Sequence, residues 1–355
     1  MSHQRSFSPE LIAALPKSGF RDVQVLVVGD LMLDQYVDGD VQRISPEAPV
    51  PVVSVRRRRA VPGGAANVAL NVLGLEAKVI AAGIIGEDTP GERLTDLLTQ
   101  SGVNAACVVK TPSRPTTSKT RIISGNHQIV RLDEELADDL DDSCAGQLIQ
   151  ALTGCLNRED IAAVVLSDYG KGVLAGDLPQ LIIEECRRRG IPVLVDPKRQ
   201  DYNAYRGATC VTPNQKEFHT ALIGTGINGK DFAFAGLAFR EQLQCTALLV
   251  TQGGEGMTLF TPAGAKHLSA MAEEVFDVSG AGDTVIATLG VALGAGLSFE
   301  NAVELANIAA SVVVRHAGTT PVAWRELSEV LGLDSMPQAR AASTFSTGAG
   351  RRLPD

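Results

Sequence analysis

The chain predicts an α/β fold: a mainly parallel central sheet covered by helices on both faces, in three layers, with a small β lid. Two observations carry this. Strand-like apolar runs alternate with amphipathic, helix-compatible stretches over most of the 355 residues, a rhythm that implies right-handed βαβ units. Two β-rich insertions then interrupt the rhythm. The composition, 45% hydrophobic and 21% charged, is that of a soluble globular protein with ample core.

The clearest strands are residues 23–28, 78–82, 162–166, 192–195, 209–211 and 247–251. Each is a short apolar run, as expected of strands buried on both faces. Between them, residues 65–73, 91–100, 144–156, 178–189 and 231–242 repeat apolar positions at helical spacing. Three further helices, 281–293, 299–316 and 323–331, close the chain. The insertions cover residues 35–59 and 116–134, the second with Gly125–Asn126 between β-rich arms, a hairpin signal. Together they form a small sheet over the active face, as a lid or a dimer contact. Residues 1–20 read as an N-terminal extension, 21–335 as one domain and 336–355, rich in Ala, Ser, Gly and Arg, as a disordered tail. The acids of 133–142 suit a solvated helix start.

The net charge of −9 argues against a nucleic-acid surface, and Arg56 to Arg59 read as the solvated end of a strand. No apolar run is long enough to span a membrane, and residues 1–10 lack a signal-peptide pattern. Cytoplasm is the default location. The six cysteines form no C-x-x-C pair and the five histidines show no metal-ligand spacing.

Asp277 to Thr284 reads D-V-S-G-A-G-D-T, two acids flanking a small-residue turn before a helix-compatible run. A helix N-terminus offers unpaired N–H groups and partial positive charge to an anion. Asp283 is then a carboxylate beside an anion hole, the parts needed to move a phosphoryl group onto a hydroxyl. An ordinary glycine-rich turn is the bland alternative. Pro62-Gly63-Gly64-Ala-Ala-Asn67 opens another small-residue helix, and its N–H groups and the Asn67 amide can grip sugar hydroxyls or simply pack. Asp34, after the first strand, can accept hydrogen bonds from a polyol or cap a loop. Asn214-Gln215-Lys216-Glu217 places an amide and a carboxylate on one helical face, which suits hydrated magnesium or a helix cap equally. Gly253 and Gly256 lie in a glycine-rich stretch that can border a nucleotide or turn a hairpin. Gly224 to Lys230 fits both G-x-G-x-x-G and G-x-x-x-x-G-K. It is rejected for both, since no strand precedes it and Asp231 stands where a P-loop needs Ser or Thr.

Taken in order, Gly63 to Asn67, N-x-x-E at Asn214 to Glu217 and D-x-x-G-A-G-D at Asp277 to Asp283 resemble the ribokinase-like (PfkB) family of carbohydrate kinases, from about Val25 to Leu331. The resemblance implies a ribokinase-like fold whose β lid often pairs across a dimer. It implies that Asp283 accepts the proton of the attacking hydroxyl and that the N–H groups of Gly280, Ala281 and Gly282 form the anion hole. Asn214 and Glu217 would organise Mg2+ and the ATP phosphates, with Gln215, Lys216 and Lys198 nearby. Gly253 and Gly256 would border the nucleotide, and Asn307 the adenine pocket. Asp34, Gly63, Gly64 and Asn67 would hold the sugar. Some members also use a monovalent cation.

Gly29 to Tyr36, Arg43 to Val52, Arg131-Leu-Asp-Glu-Glu135 and Ser167-Asp-Tyr-Gly-Lys-Gly172 are similar to the branch acting on D-glycero-β-D-manno-heptose 7-phosphate. That branch phosphorylates the anomeric 1-hydroxyl on the route to ADP-heptose of lipopolysaccharide. Lys119, Arg121, Arg131 and Lys171 are the expected clamp on the distal phosphate. No H-x-G-H nucleotidyltransferase motif occurs, so the expectation is a stand-alone kinase served by a separate adenylyltransferase. The rivals are another kinase of the family and, more remotely, an NAD-dependent dehydrogenase resting on Gly224 to Gly229.

Overall fold

In a computed structural model the structure describes residues 7–16, 19–125, 127–272, 275–316 and 318–333. A short helix α1 (Pro9–Ala14) leads into β1 (Gln24–Gly29), then the long hairpin β2 (Leu31–Ile44) and β3 (Pro51–Gly64). There follow α2 (Ala65–Gly74), β4 (Lys78–Gly86), α3 (Thr89–Ser101), β5 (Asn104–Thr111), β6 (Thr117–Ser124) and β7 (His127–Glu134). The second half runs through α4 (Asp142–Arg158), β8 (Ala163–Ser167), α5 (Leu178–Arg189), β9 (Val193–Asp196), β10 (Cys210–Val211), α6 (Gln215–Ala221) and α7 (Phe232–Gln242). It closes with β11 (Ala247–Thr251), β12 (Met257–Thr261), β13 (Gly264–Leu268), α8 (Ala281–Gly294), α9 (Phe299–Val313) and α10 (Trp324–Leu331).

The large sheet has nine strands in the order β13-β12-β11-β10-β9-β8-β1-β4-β5. It is parallel from β5 to β11, and β12 and β13 add an antiparallel edge. Successive strand residues face opposite sides, which explains the unbroken apolar runs. Val25, Val27, Ala163, Val165 and Leu249 enter the core beneath α2, α8 and α9. Leu26, Val28, Val164, Leu166 and Val250 enter the core beneath α4, α5 and α7. The described elements of α1 also pack inward: Leu11 is buried, and Ser8 bonds Glu304 on α9 through both its N–H and its hydroxyl.

The lid is a separate four-stranded sheet, β3-β2-β6-β7. Its strands reach further than the insertions suggested. β2 begins at Leu31 and β3 continues to Gly64, so Asp34, Gly63 and Gly64 lie on lid strands at the base of the sheet. The edge strand β5 and the β12–β13 hairpin were not among the expected strands. Gly224 to Lys230 is loop between α6 and α7, with Asp231 capping α7, so it lacks the strand-to-helix setting of a dinucleotide site. The 336–355 tail and Asn126 fall outside the described residues. Among those described, no helix is long and apolar enough to cross a membrane.

The chain turns back across the sheet between β1 and β8, so their carboxyl ends frame the crevice where parallel sheets bind ligands. Gly29 pairs with Ser167 there, and a Cβ at 29 would lie 2.0 Å from the Ser167 carbonyl oxygen. No rotamer relieves a clash with backbone. Gly29→Ala is therefore expected to destabilise the fold by about 1–3 kcal/mol, as overpacking does, read as a lower urea midpoint with an unchanged slope.

Candidate functional site

Asp283 lies in the first turn of α8 and is buried, at 5% exposure. Its partners come from two distant segments. The Asn67 amide on α2 donates to Oδ2 at 2.6 Å, and the Tyr169 hydroxyl, beyond β8, donates to Oδ1 at 2.5 Å. Both donors are neutral. Burial pushes the Asp283 carboxyl up to about 6, against the two hydrogen bonds and with help from the charge of Asp34. Burial and the Asp283 charge likewise hold the Tyr169 phenol well above its ordinary range, so it remains a donor.

The turn before α8 is shaped for this. Gly280 caps the helix at φ 79°, the left-handed region, and a Cβ there would meet the Asn67 amide nitrogen at 3.1 Å. Asp277 accepts from the N–H groups of Ser279 and Gly318, both at 2.9 Å. Burial works to raise its carboxyl, yet those bonds hold it below the usual value. Gly282 is exposed on the helix's first turn, where N–H groups lack intrahelical acceptors. The N–H of Ala281 instead donates back to Val278 O at 3.2 Å, so of the three expected anion-hole donors it is already engaged. Asn71 fixes the two helices together: its Oδ1 accepts from Thr284 Oγ1 at 2.8 Å and from Val322 N at 3.0 Å.

A cleft opens from Asp283 along the carboxyl ends of β8 to β11. Asp168, Tyr169, Asp196, Lys198, Asn214, Glu217, Thr251, Gly280 and Gly282 line it. Asn214 and Glu217 are close, as the sequence suggested, but as a capping box: Glu217 N donates to Asn214 Oδ1 at 2.9 Å and Asn214 N to Glu217 Oε2 at 3.1 Å. Lys198 pairs with Glu217 Oε1 at 2.9 Å. Asp196, whose carboxyl is raised first by burial and then by Asp283 and Glu217, faces the same space. Two neighbouring acids at a cleft wall suit a hydrated divalent ion, and Glu217 with Asn214 fits outer-sphere contact through water. Lys216 lines an adjoining recess, and Gln215 is exposed on α6.

Gly253, Gly256 and Asn307 were also expected near the nucleotide. Gly253 and Gly256 make the turn between β11 and β12, and a Cβ on Gly256 would lie 2.1 Å from Leu268 O. The Asn307 amide donates to Ser269 O at 2.8 Å. None of the three lines the cleft.

On the lid side each expected cation has an acidic partner. Arg121 bonds Asp34 at 2.6 Å, and Gly63 is glycine because a Cβ would lie 2.4 Å from Asp34 Oδ2. Lys119 and Lys171 converge on one carboxylate, Glu135, at 2.9 and 2.6 Å. Burial works to raise Glu135, but the two ammonium groups hold it low. Arg131 is bidentate to Asp133 on its own strand and half exposed. Glu135 and Tyr169 were not singled out from the sequence as site residues; both stand inside motifs quoted above. Asp30 is a third such residue. It is buried and accepts from the N–H groups of Tyr169, Lys171 and Val173 at 2.8, 3.0 and 3.2 Å.

Residues 23–325 match the model of the pfkB family carbohydrate kinases. The chain is 47% identical over 314 residues to "Bifunctional protein HldE" of Methylobacillus flagellatus, covering 88% of this chain and 64% of that protein. It is 48% identical over 325 residues to the protein of the same name from Halorhodospira halophila, covering 91% and 66%. The chain thus spans just under two thirds of those relatives. Among solved structures, Arabidopsis thaliana ribokinase complexed with ribose and ATP superposes with a TM-score of 0.66 at 22% identity, over 87% of this chain and 98% of that one. Phosphofructokinase-2 from Escherichia coli in complex with potassium gives 0.69 at 19% identity, over 88% and 99%. These structures share the α/β fold.

The raised Asp283 carboxyl carries a stability consequence. The folded chain holds this proton up to about pH 6, whereas the unfolded chain releases it near pH 3.9. The folded state therefore binds more protons between those values, and stability falls as pH rises through them. Asp283→Asn removes the cost of ionising a buried carboxyl. The Asn67 Oδ1, buried without a partner, can turn to accept from the new amide. The variant is expected to exceed the original at pH 8 by about 2–3 kcal/mol, with the gain gone below pH 4, as read by urea denaturation at both.

Proposed function

Because the chain belongs to the pfkB family of carbohydrate kinases, we propose that it transfers the γ-phosphoryl group of ATP to the anomeric 1-hydroxyl of D-glycero-β-D-manno-heptose 7-phosphate, giving the 1,7-bisphosphate. The observation that carries the reading is the buried Asp283 at a helix N-terminus, ionised above about pH 6, between the cleft at the ends of β8 to β11 and the lysines and arginine of the lid side. The similarity to the relatives named HldE supports the branch. ADP-heptose formation for lipopolysaccharide is the pathway this reading implies. A phosphatase would first have to remove the 7-phosphate, after which an adenylyltransferase would act on the remaining 1-phosphate, and the cytoplasm is the compartment where ATP is supplied.

Asp283 takes the proton of the attacking hydroxyl as the new O–P bond forms and the bond to ADP breaks. Phosphoryl transfer has a loose transition state, so placement and charge stabilisation dominate. The N–H groups of Gly280 and Gly282 and the start of α8 face the transferring group, with Lys198 beside the departing phosphates. Mg2+, when bound, neutralises charge on the ATP phosphates; Glu217 and Asn214 would hold its water shell. A monovalent cation beside the Gly280 turn belongs to the same proposal, supported by the potassium of the similar phosphofructokinase-2 structure. On the sugar side Asp34, Gly63, Gly64 and Asn67 border the acceptor, and Lys119 and Lys171 exchange Glu135 for the distal phosphate.

An assay coupling ADP release to NADH oxidation, run across heptose 7-phosphate, fructose 6-phosphate, ribose and adenosine, tests the substrate. The expected result is turnover with heptose 7-phosphate alone; preference for another acceptor moves the chain to a sister activity of the family. In the same assay Asp283→Asn should lose about 10²–10⁴ in kcat, the range of general-base catalysis. Lys171→Ala should raise the sugar-phosphate KM more than it lowers kcat.

The lid's outer face supports a homodimer as part of this proposal. Residues opposite one another in register share a face, and Ile122 and Val130 oppose Val37, turned away from Asp34 and Arg121. Val130 and Leu132 are 42% and 52% exposed. Sedimentation is expected to give twice the chain mass of 37.3 kDa, and Val130→Asp with Leu132→Glu to return the monomer.

A further inference from the structure

Tyr169 belongs to the base, although neither its sequence motif nor the family match assigns it there. Its hydroxyl reaches Asp283 Oδ1 at 2.5 Å from a loop that the chain holds with unusual care. Asp30 grips that loop through three N–H groups, those of Tyr169, Lys171 and Val173. Asp168 adds a bond from Gly170 N at 2.7 Å and is itself fixed by Tyr205 at 2.5 Å. The backbone of the loop is thus fixed, while the Tyr169 ring lines the open cleft and keeps part of its surface exposed there. A fixed loop whose ring borders open space suits a group that must sit on the carboxylate and then leave.

Resting on the kinase reading above, we propose that Tyr169 is a positioning residue whose hydroxyl occupies, in the empty site, the seat that the acceptor hydroxyl takes on Asp283 Oδ1. Asn67 keeps Oδ2 throughout, so the carboxylate stays aimed while one donor replaces another. The exchange leaves a buried anion always hydrogen-bonded, which avoids the cost of an unsatisfied charge during sugar entry. The other groups facing Asp283 are Asp34 on β2, with its partner Arg121, and Asp196 at the end of β9, whose neighbours are Glu217, Lys198 and Asp168. None of these is altered by a change at 169.

The test is the pair of pH profiles of Tyr169→Phe. The profile of kcat/KM reports the free enzyme, where Tyr169 bonds the base, and that of kcat reports the sugar complex, where it does not. The acid limb of kcat/KM is expected to move up by about half to one pH unit, the size of one lost hydrogen bond to a carboxylate, while the acid limb of kcat stays in place. Both limbs moving together, or neither moving, overturns the proposal. A 13C-carboxyl NMR titration of Asp283 in the sugar-free protein, assigned with Asp283→Asn, separates this from the substrate reading. If no acceptor turns over, the substrate reading fails, yet the Asp283 midpoint must still rise in Tyr169→Phe, and an unchanged midpoint overturns the inference. Should Tyr169→Phe not fold, 3,5-difluorotyrosine at 169 keeps the shape and strengthens the donor. The midpoint must then fall, and a rise or no change overturns it.

Discussion

A buried carboxylate whose partners are both neutral is the constraint around which this molecule is arranged. Asp283 cannot be left bare in the core, because an unpaired buried charge costs several kcal/mol. A cation beside it would satisfy the charge but lower its affinity for a proton. An amide and a phenol do something intermediate, leaving the carboxyl near 6, where it is ionised at neutral pH and still basic. Delivering those two donors requires α2 and α8 to pack together at their N-terminal turns and the loop beyond β8 to reach Asp283. The Asn71 bonds to Thr284 and Val322, and the grip of Asp30 on the Tyr169 loop, follow from that requirement.

Two of the buried acids of the site, Asp30 and Asp283, contrast in a useful way. Asp30 is satisfied by backbone N–H groups, which cannot move without unfolding the loop. Asp283 is satisfied by side chains, one of them on the wall of an open cleft. The first arrangement is scaffold and the second is exchangeable. The cations of the lid and the cleft follow the same logic: Arg121, Lys119, Lys171 and Lys198 each rest on a carboxylate. An anionic ligand arriving there replaces one anion by another, so the cations remain neutralised and ordered in both states. The cost is competition, since every phosphate oxygen must win its lysine from Glu135 or Glu217.

Much of the fold was legible because burial on both faces writes a strand as an unbroken apolar run, and six such runs became parallel strands. β5 escaped because, as an edge strand, it exposes Asn104, Ala106 and Lys110 and breaks the run. β13 escaped for the same reason. The ends of β2 and β3 were misjudged because the lid sheet continues straight into the body, where Leu31 and Gly64 still pair. In the site, local spacing revealed Asp283, Asn67 and the Asn214–Glu217 pair. It could not reveal Tyr169 on Asp283, 114 residues away, or Lys171 on Glu135, 36 residues away. Such contacts are made by topology, and a single sequence carries no trace of them beyond a polar cluster after a strand. The capping box at Asn214 shows the converse. There the spacing was right, and the local reading and the ligand reading use the same atoms.

The small residues of the site look alike in sequence and have unlike causes. Gly64 begins α2 at φ 57°, with the Asp30 carbonyl 2.5 Å from where a Cβ would stand, so backbone conformation and a neighbouring strand both forbid a side chain. Gly63 has no such φ; what excludes a Cβ is the Asp34 carboxylate itself. Gly282 meets nothing within 4 Å, so the fold alone would accept alanine there. What it leaves open is the free side of the helix end, where a ligand would lie. Of the three, Gly282 is the one that structure leaves free and chemistry would hold. That makes it the sharper marker of an anion beside Asp283 than Gly64, which the backbone requires, or Gly63, which the Asp34 side chain requires.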